Sequence, residues 1–380
     1  MNGARRVVRT AHGPIECPAF LPDATRGVVR AVDSDDLQSC RVPGVVMSTF
    51  HLMQKPGSST IAALGGVHGL MAWPGPIVTD SGGFQAYSLI REQPTHGRMT
   101  DQGLHFRPEG NERKFVLTPE KSIRLQINYG ADIAMCLDQC THGDDPDDVQ
   151  EIAVRRTIDW ARRGKAQFDQ HLDQKGIPAE QRPALFGVIQ GGRSFERRRR
   201  CAEALLEMGL QGFGFGGWPL DREGQLLLEL IGFTRELVPG HLPFHALGIG
   251  HPESVVACAR LGCDLFDSAL PTRDARRGRL YTFAGRVPES IRDLEPPWFA
   301  FLYIQDKKHV KTAAPVCPGC SCACCANYSV GYLHHLFRID DMLFPRLATI
   351  HNICFMQRIT RLFHDPPEPA SPPDGGSPRG

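Results

Sequence analysis

Asp264-Leu265-Phe266-Asp267-Ser268-Ala269-Leu270-Pro271-Thr272-Arg273-Asp274-Ala275-Arg276-Arg277-Gly278-Arg279 opens as a short apolar run, reaches a carboxylate at Asp267 and breaks at Pro271. Four arginines follow within seven residues: Arg273, Arg276, Arg277 and Arg279. By itself the stretch reads as a strand capped by an aspartate and trailed by a solvated basic loop. Its counterparts along the chain change that reading. Short apolar runs also occupy 19–21, 45–50, 76–80, 132–138, 185–190, 212–217 and 244–250, which makes eight strand candidates with 264–268. Amphipathic segments separate most of them. Val154, Ile158 and Ala161 repeat at helical spacing, and Pro119-Glu120-Lys121-Ser122 has proline where a first helical turn accepts it. Residues 194–209 and 223–237 repeat the pattern. Strands apolar on both faces that alternate with helices form a parallel sheet covered on both sides. Eight of them predict an α/β fold closed as a (β/α)8 TIM barrel. Asp80, Asp138, Gln190, Gly217 and Asp267 fall at the C-terminal ends of their runs, the face where such barrels place their chemistry.

The 380 residues suffice for one large α/β core plus an appendage. Hydrophobic content of 41% and charged content of 22% are those of an ordinary globular protein. With a net charge of +1, a polyanion has to be met by local patches and not by a global field. Met1-Asn2-Gly3-Ala4-Arg5-Arg6 leads into no apolar signal region, and no apolar run reaches membrane-spanning length. The expectation is a cytoplasmic protein in a reducing compartment, with no membrane partner. Five of the thirteen cysteines, Cys317, Cys320, Cys322, Cys324 and Cys325, crowd into nine residues. In a reducing compartment such crowding points to a metal. With His351 downstream it suits a tetrahedral structural zinc, although spacing alone leaves the ligand set open, because Cys317 and Cys320 also have knuckle spacing.

Residues 89–111 read as a strand-and-loop excursion over the barrel mouth, and 287–316 as an insertion before the final helix. The predicted division is a barrel over 1–286, a zinc-binding subdomain with the closing helix over 287–364, and a disordered tail over 365–380, rich in Pro, Gly and Ser. Arg197 to Arg200 read as the solvated face of an outer helix.

Six motifs then fall in one order. They are Ser48-Thr49-Phe50-His51-Leu52, Thr79-Asp80-Ser81-Gly82-Gly83-Phe84-Gln85, Thr118-Pro119-Glu120-Lys121-Ser122, Gly187-Val188-Ile189-Gln190-Gly191-Gly192, and Phe266-Asp267 with Pro271-Thr272-Arg273. The last joins Asn327-Tyr328-Ser329 and Tyr332-Leu333-His334-His335-Leu336 to Thr349-Ile350-His351-Asn352. Across about residues 9–363 the chain resembles the tRNA-guanine transglycosylases. The resemblance implies a (β/α)8 barrel with a zinc subdomain inserted before the last helix, and one structural Zn2+ per chain held by Cys320, Cys322, Cys325 and His351. It implies replacement of guanine at the tRNA wobble position by a free 7-deazaguanine, with Asp267 as the nucleophile that holds the ribose and Asp80 as the general acid and base.

By the same resemblance the base pocket takes in Asp80, Ser81, Gly82, Gly83, Phe84, Asp138, Gln190, Gly217 and Leu247. Asp138 accepts from the pairing edge of guanine. Gln190 and the Gly217 N–H donate to its carbonyl, and Phe84 and Leu247 sandwich the ring. The RNA-contacting segments are Gly248-Ile249-Gly250-His251-Pro252-Glu253 and Thr272-Arg273-Asp274-Ala275-Arg276; apart from the resemblance, Lys307, Lys308 and Lys311 beside the zinc site read as further phosphate contacts. The anticodon loop of tRNA is the expected partner, and a homodimer the expected assembly.

The chain departs from the family around that pocket. Trp218-Pro219-Leu220-Asp221-Arg222 stands where Leu-Ala-Val-Gly-Glu is usual. His245 stands for Tyr, Leu247 for Met, and Gln139 for the Glu of Asp-Glu-Cys. Two alternatives stay open: a deazaguanine transglycosylase for DNA or another tRNA position, and a non-catalytic subunit that binds tRNA and zinc.

Overall fold

A computed structural model describes residues 6–108 and 114–364. The tail expected to be disordered, and the last residues of the excursion, lie outside them. Eight parallel strands form the barrel: β1 (Ala19–Pro22), β2 (Val45–Ser48), β3 (Ile77–Asp80), β4 (Ile133–Met135), β5 (Ala184–Ile189), β6 (Gly212–Phe215), β7 (Phe244–Ala246) and β8 (Leu265–Ser268). From β2 round to β8 each pairs with the next, and β8 returns to β1, with Asp267 opposite Leu21. Between β1 and β2 the ring is closed by the Ala24 N–H on the Val46 carbonyl at 2.7 Å and the Ser48 N–H on the Thr25 carbonyl at 3.3 Å.

All eight expected runs contain a strand, but several strands stop early. The 45–50 run turns into a helix at Thr49 (Thr49–Leu52), because Thr49 N–H and Oγ1–H are drawn sideways onto Asp80 Oδ1 and the Asp80 carbonyl at 3.0 and 2.6 Å. The loop expected after β8 is a helix, Leu270–Arg276. Pro271 sits in its first turn, where a missing N–H costs nothing, and so starts the helix instead of breaking the chain.

Both faces of the sheet are dry. Inside the barrel Leu21, Val46, Val78, Ile133, Met135, Phe186 and Leu265 pack together. The N-terminal hairpin, Val7–Thr10 paired with Gly13–Glu16, adds Val8 and Ile15 to this cluster and plugs the bottom. Each such fully buried side chain stabilises by about 1.5–3 kcal/mol. Outside, helices cover the ring. Pro119–Tyr129 begins at Thr118, whose Oγ1 accepts the Lys121 N–H at 3.2 Å, and ends at Gly130 in the left-handed region. Asp147–Lys175 and Phe195–Leu206 continue the layer. Over the mouth, 97–100, 103–106 and 115–117 form a three-stranded antiparallel sheet, as the excursion reading expected.

After β8 a second antiparallel pair, Arg279–Phe283 with Phe299–Tyr303, leads to the cysteine cluster. The last helix, Leu343–Arg361, carries His351 and docks on the barrel, where Gln357 Nε2 donates to the Phe20 carbonyl at 2.8 Å. No helix among the described residues is long and apolar enough to cross a membrane.

Candidate active site and metal centre

Asp267 ends β8 at the barrel mouth. One of its oxygens, Oδ1, accepts from His245 Nε2 at 2.9 Å and from the Gly248 N–H at 3.0 Å. His245 lies on β7, is 0% exposed, and its other ring nitrogen, Nδ1, has no partner. With the carboxylate as acceptor, the single proton of a neutral His245 belongs on Nε2. Oδ2 of Asp267 is left outside this clasp. Gly248, expected to touch RNA, meets Asp267 here through its backbone N–H.

Asp80 ends β3, three strands round the ring from β8. Its Oδ1 accepts from the Thr49 and Gly82 N–H groups at 3.0 and 2.9 Å, and its Oδ2 from Gln85 Nε2 at 2.7 Å. Gly82 turns back onto Asp80 because it adopts φ +82°, where a side chain would also press on Phe50 and Leu117. Burial pushes the Asp80 carboxyl up to about 7, against the pull of these bonds. Ser81 fixes the same turn, with Oγ accepting the Gly83 N–H at 3.2 Å.

Asp138 follows β4 and accepts Gln190 Nε2 on Oδ2 at 2.6 Å. Burial raises it to about 6, and the bond from Gln190 opposes the shift. Gln190 lies against Gly216 and Gly217, and a Cβ on Gly216 would meet its amide at 2.6 Å. The Gln190 carbonyl oxygen is buried without a partner, and an unmet buried acceptor costs about 1–3 kcal/mol.

At the rim, Phe84 is 45% exposed and Trp218 is 43% exposed. Their rings run nearly parallel with centroids 6.4 Å apart, and His142 stands 6.2 Å from Trp218. Leu247 is half-buried and leans towards Gly214 on β6. The departing segment 218–222 thus supplies an aromatic wall beside Phe84. Gln139 turns away from the mouth, donating its N–H to Thr157 Oγ1 at 3.1 Å and accepting from Arg156 at 3.0 Å.

The reading of Arg197–Arg200 as a solvated face holds at exposed Arg199 and Arg200 and is corrected at Arg198. Arg198 is only 1% exposed. Its guanidinium donates to the carbonyls of Gly192, Ile189 and Gly216 at 3.0, 3.1 and 3.0 Å, and lies 4.1 Å from the Phe215 ring centroid. Three carbonyls and an aromatic face replace the lost water. Nothing in the local charge pattern distinguishes this arginine from its neighbours.

The expected RNA-contacting residues divide by exposure. Arg273, Gly248 and Glu253 are exposed, and Arg276 and His251 are half-buried. Thr272, Asp274, Ala275, Ile249, Gly250 and Pro252 are buried. Asp274 instead takes the Tyr281 hydroxyl at 2.9 Å and pairs with Arg279. Burial, and then the nearby charge of Arg30, hold Arg276 below its ordinary range. Arg30 and Arg26, which the sequence reading passed over, join Arg273 and Arg277 as exposed arginines without an ion pair among the described residues. Asp23, also passed over, is raised by burial, with Thr25 opposing and the charge of Asp267 adding to the shift.

Cys320, Cys322, Cys325 and His351 bring four ligand atoms within 4.8 Å of one another, an arrangement that could hold a metal ion. His351 Nε2 lies 2.7 Å from the Tyr281 carbonyl, an acceptor that fixes the proton there. Nδ1 is left facing Cys325 and Cys322 sulfurs at 3.2 and 3.7 Å. Cys317 and Cys324 are buried nearby but stand outside this set.

Comparison with known proteins places the whole chain. The family model described as queuine tRNA-ribosyltransferase matches residues 2–365. A queuine tRNA-ribosyltransferase of Lysinibacillus sphaericus (strain C3-41) is 35% identical over 359 residues, 94% of this chain and 87% of its own. Those of Aliivibrio salmonicida (strain LFI1238) and Staphylococcus aureus (strain bovine RF122 / ET3-1) are 35% and 34% identical, over 91% and 94% of this chain and 85% and 87% of theirs. The chain belongs to the queuine tRNA-ribosyltransferase family, whose members are pentosyltransferases.

Proposed function

We propose that this enzyme replaces guanine at the wobble position of a tRNA anticodon with a free 7-deazaguanine through a covalent Asp267–ribosyl intermediate. The observation that carries the reading is the one-sided clasp on Asp267: His245 and Gly248 occupy Oδ1 and leave Oδ2 to attack. In the first step Asp267 Oδ2 bonds to C1′ of the ribose. The bond from C1′ to the base nitrogen breaks, and Asp80 gives its proton to the departing guanine. In the second step the incoming base loses a proton to Asp80 and its nitrogen bonds to C1′. The ester breaks and Asp267 returns as a carboxylate. A carboxyl poised near 7 serves both directions, because neither protonation state is costly.

Asp138 and Gln190 present an acceptor and amide groups to the pairing edge of the base, beside the Gly217 N–H. Phe84 and Leu247 flank its faces. The nucleotide leaves its stack to reach them, and Arg273, Arg276, Arg277 and Arg30 meet the phosphates. Trp218 faces the region where a 7-substituent would lie.

The four-residue metal centre suits zinc. A tetrahedral ion with bonds of about 2.3 Å to sulfur and 2.0–2.1 Å to nitrogen separates those ligand atoms by about 3.6 Å, and the two sulfur–nitrogen distances bracket that value. Zinc there ties the last helix to the segment after β8 and performs no chemistry. Removing it with a chelator should unfold the C-terminal region and weaken tRNA binding; unchanged binding would make the metal incidental. Tyr328 and Tyr332 stack at 5.3 Å beside a concavity of about 510 Å³ that includes Ala313 and Asn327, a surface suited to a second copy. Both the homodimer and a cytoplasmic site of action fit a tRNA substrate.

Exchange of labelled guanine into bulk tRNA tests the function, with competition by candidate 7-deazaguanines. Failure of every tRNA to take up label would remove the reading. Tighter binding of DNA than of an anticodon stem-loop with the same sequence would move the substrate to DNA.

A further inference from the structure

The nucleophile has a neighbour at the mouth that the exchange chemistry leaves unused. Asp23 follows β1, the strand beside β8 in the ring. Leu21 and Leu265 pack together inside the barrel, and side chains alternate along a strand. Asp23, two residues after Leu21, and Asp267, two residues after Leu265, therefore both turn towards the barrel axis. Asp23 still bridges to Val46 of β2, so the alternation holds up to it. Asp267 stands opposite Leu21, which makes Asp23 the next interior position along the neighbouring strand. Both aspartates are half-buried. Burial raises the Asp23 carboxyl, Thr25 opposes, and the charge of Asp267 adds to the rise, so the two carboxylates are electrostatic neighbours.

Asp23 divides its oxygens as Asp267 does. Oδ1 accepts the Thr25 N–H at 3.0 Å and the Thr25 hydroxyl, and Oδ2 has no partner among the described residues. The turn at Thr25 needs only Oδ1, and an uncharged Asn would serve it as well. A second carboxylate beside the nucleophile therefore calls for a ligand that donates to it. That ligand is not a phosphate, which a carboxylate repels. Asp23 also lies within reach of the charges of Arg30 and Arg276, which the proposed function gives to the phosphates. In a nucleotide the sugar stands between the phosphate and the bond to the base. Its 2′-hydroxyl is a donor on the carbon next to C1′. We propose that Asp23 Oδ2 accepts the 2′-hydroxyl of the flipped nucleotide, which makes Asp23 the residue that selects ribose over deoxyribose; this role rests on the proposed base exchange. The bond also assists the reaction. The hydroxyl draws electron density from C1′, where positive charge develops as the base leaves, and a carboxylate that accepts its hydrogen offsets that pull.

The test takes the full-length protein and three anticodon stem-loops: one all ribose, one with 2′-deoxyguanosine at the wobble position, and one with a deoxy sugar at the preceding nucleotide. Single-turnover adduct formation, trapped with a base analogue, gives a ribose-to-deoxyribose rate ratio for each position. Ribosyl and deoxyribosyl bonds differ in intrinsic lability, and comparing the ratio between protein variants removes that difference. The wobble ratio should fall about tenfold or more from the unmodified protein to Asp23→Ala, and the ratio at the preceding nucleotide should stay the same. Asp23→Asn keeps an oxygen for Thr25 and loses the charge at the other position, so its wobble ratio should lie between the two. An unchanged wobble ratio in Asp23→Ala, or an equal fall at the preceding nucleotide, would overturn the role of Asp23. Should Asp23→Ala not fold, the Asn variant decides, and a ratio equal to that of the unmodified protein would count against the contact. Absence of adduct with every stem-loop in the unmodified protein would instead remove the base exchange, and the role of Asp23 with it.

Discussion

Two strand regions of the barrel carry an aspartate at both ends, and the two ends behave differently. Asp132 and Asp138 bracket β4; Asp264 and Asp267 bracket β8. At the bottom the pair is alike in detail. Asp132 takes the first N–H of β3, from Ile77, at 2.8 Å, and Asp264 takes the first N–H of β7, from Phe244, also at 2.8 Å. Each then acquires basic partners, His12 and His68 for one and Arg6 for the other. At the top no carboxylate among the described residues caps a strand in this way. Asp138 takes an amide, Asp267 a ring nitrogen and a loop N–H, and Asp80 a set of turn donors without a cation. One residue type at one kind of position thus ties strand N–H groups together at one end, while at the other it takes amide, ring and loop donors, as the proposed chemistry requires. The partners make the difference.

The largest test of that contrast pairs Asp267→Ala with Asp264→Asn. The first should abolish the covalent RNA adduct trapped with a base analogue and lower exchange by about four orders of magnitude or more, as loss of a nucleophile does. Adduct that survives would move the nucleophile elsewhere. The second should keep adduct formation per folded molecule and lose about 2–3 kcal/mol of stability, read from urea unfolding, because buried donors lose a charged acceptor. Equal loss of adduct in both would erase the distinction between the ends.

Asp80 comes next. Its carboxyl, raised above the usual range to about 7, is protonated below that value and ionised above it. Guanine departure needs the proton, so single-turnover adduct formation should fall as pH rises through about 7. In Asp80→Asn the rate should be about a hundredfold or more lower and flat across that region. A falling limb that survives the substitution would assign the titration to another group.

His245 sharpens the comparison further. Replacement by Gln keeps an N–H donor for Asp267 Oδ1, and replacement by Phe removes it. Adduct formation should drop about tenfold or more in the Phe variant, with substantial recovery in the Gln variant and unchanged tRNA affinity. Equal rates for the two would leave Gly248 alone as the clasp. The smallest effect concerns the rim. Arg273→Ala should weaken binding several-fold for every anticodon sequence and reduce the salt dependence by about one counterion, measured across a series of ionic strengths. An effect on one sequence alone would make Arg273 a base reader.

Much of this was legible in the chain. The eight runs could be read because both faces of a covered parallel strand must be apolar, and their acidic ends marked the mouth. Pro271 misled because a proline that starts a helix and one that stops it look alike in sequence. Arg198 was illegible because its burial depends on the Gly192, Ile189 and Gly216 carbonyls, which only the fold assembles. Distance in sequence hid Arg30 beside Arg276, and His12 beside His68 and Asp132. The cysteine set was ambiguous by spacing and settles on four residues once His351 is placed.

Arg198 also bears on how the specificity of this enzyme can be altered. Its guanidinium pins the ends of β5 and β6 from beneath, up to the carbonyl of Gly216. Trp218 follows just beyond, with 43% of its surface exposed. The segment 218–222 therefore leaves a clamped base, and its own ties run to Gln225, Leu226 and Leu227 and, through Arg222, to Asp144. On the proposed function, an engineer who wishes to admit a bulkier 7-substituent would redesign the chain after Gly217 and leave the arginine beneath it alone.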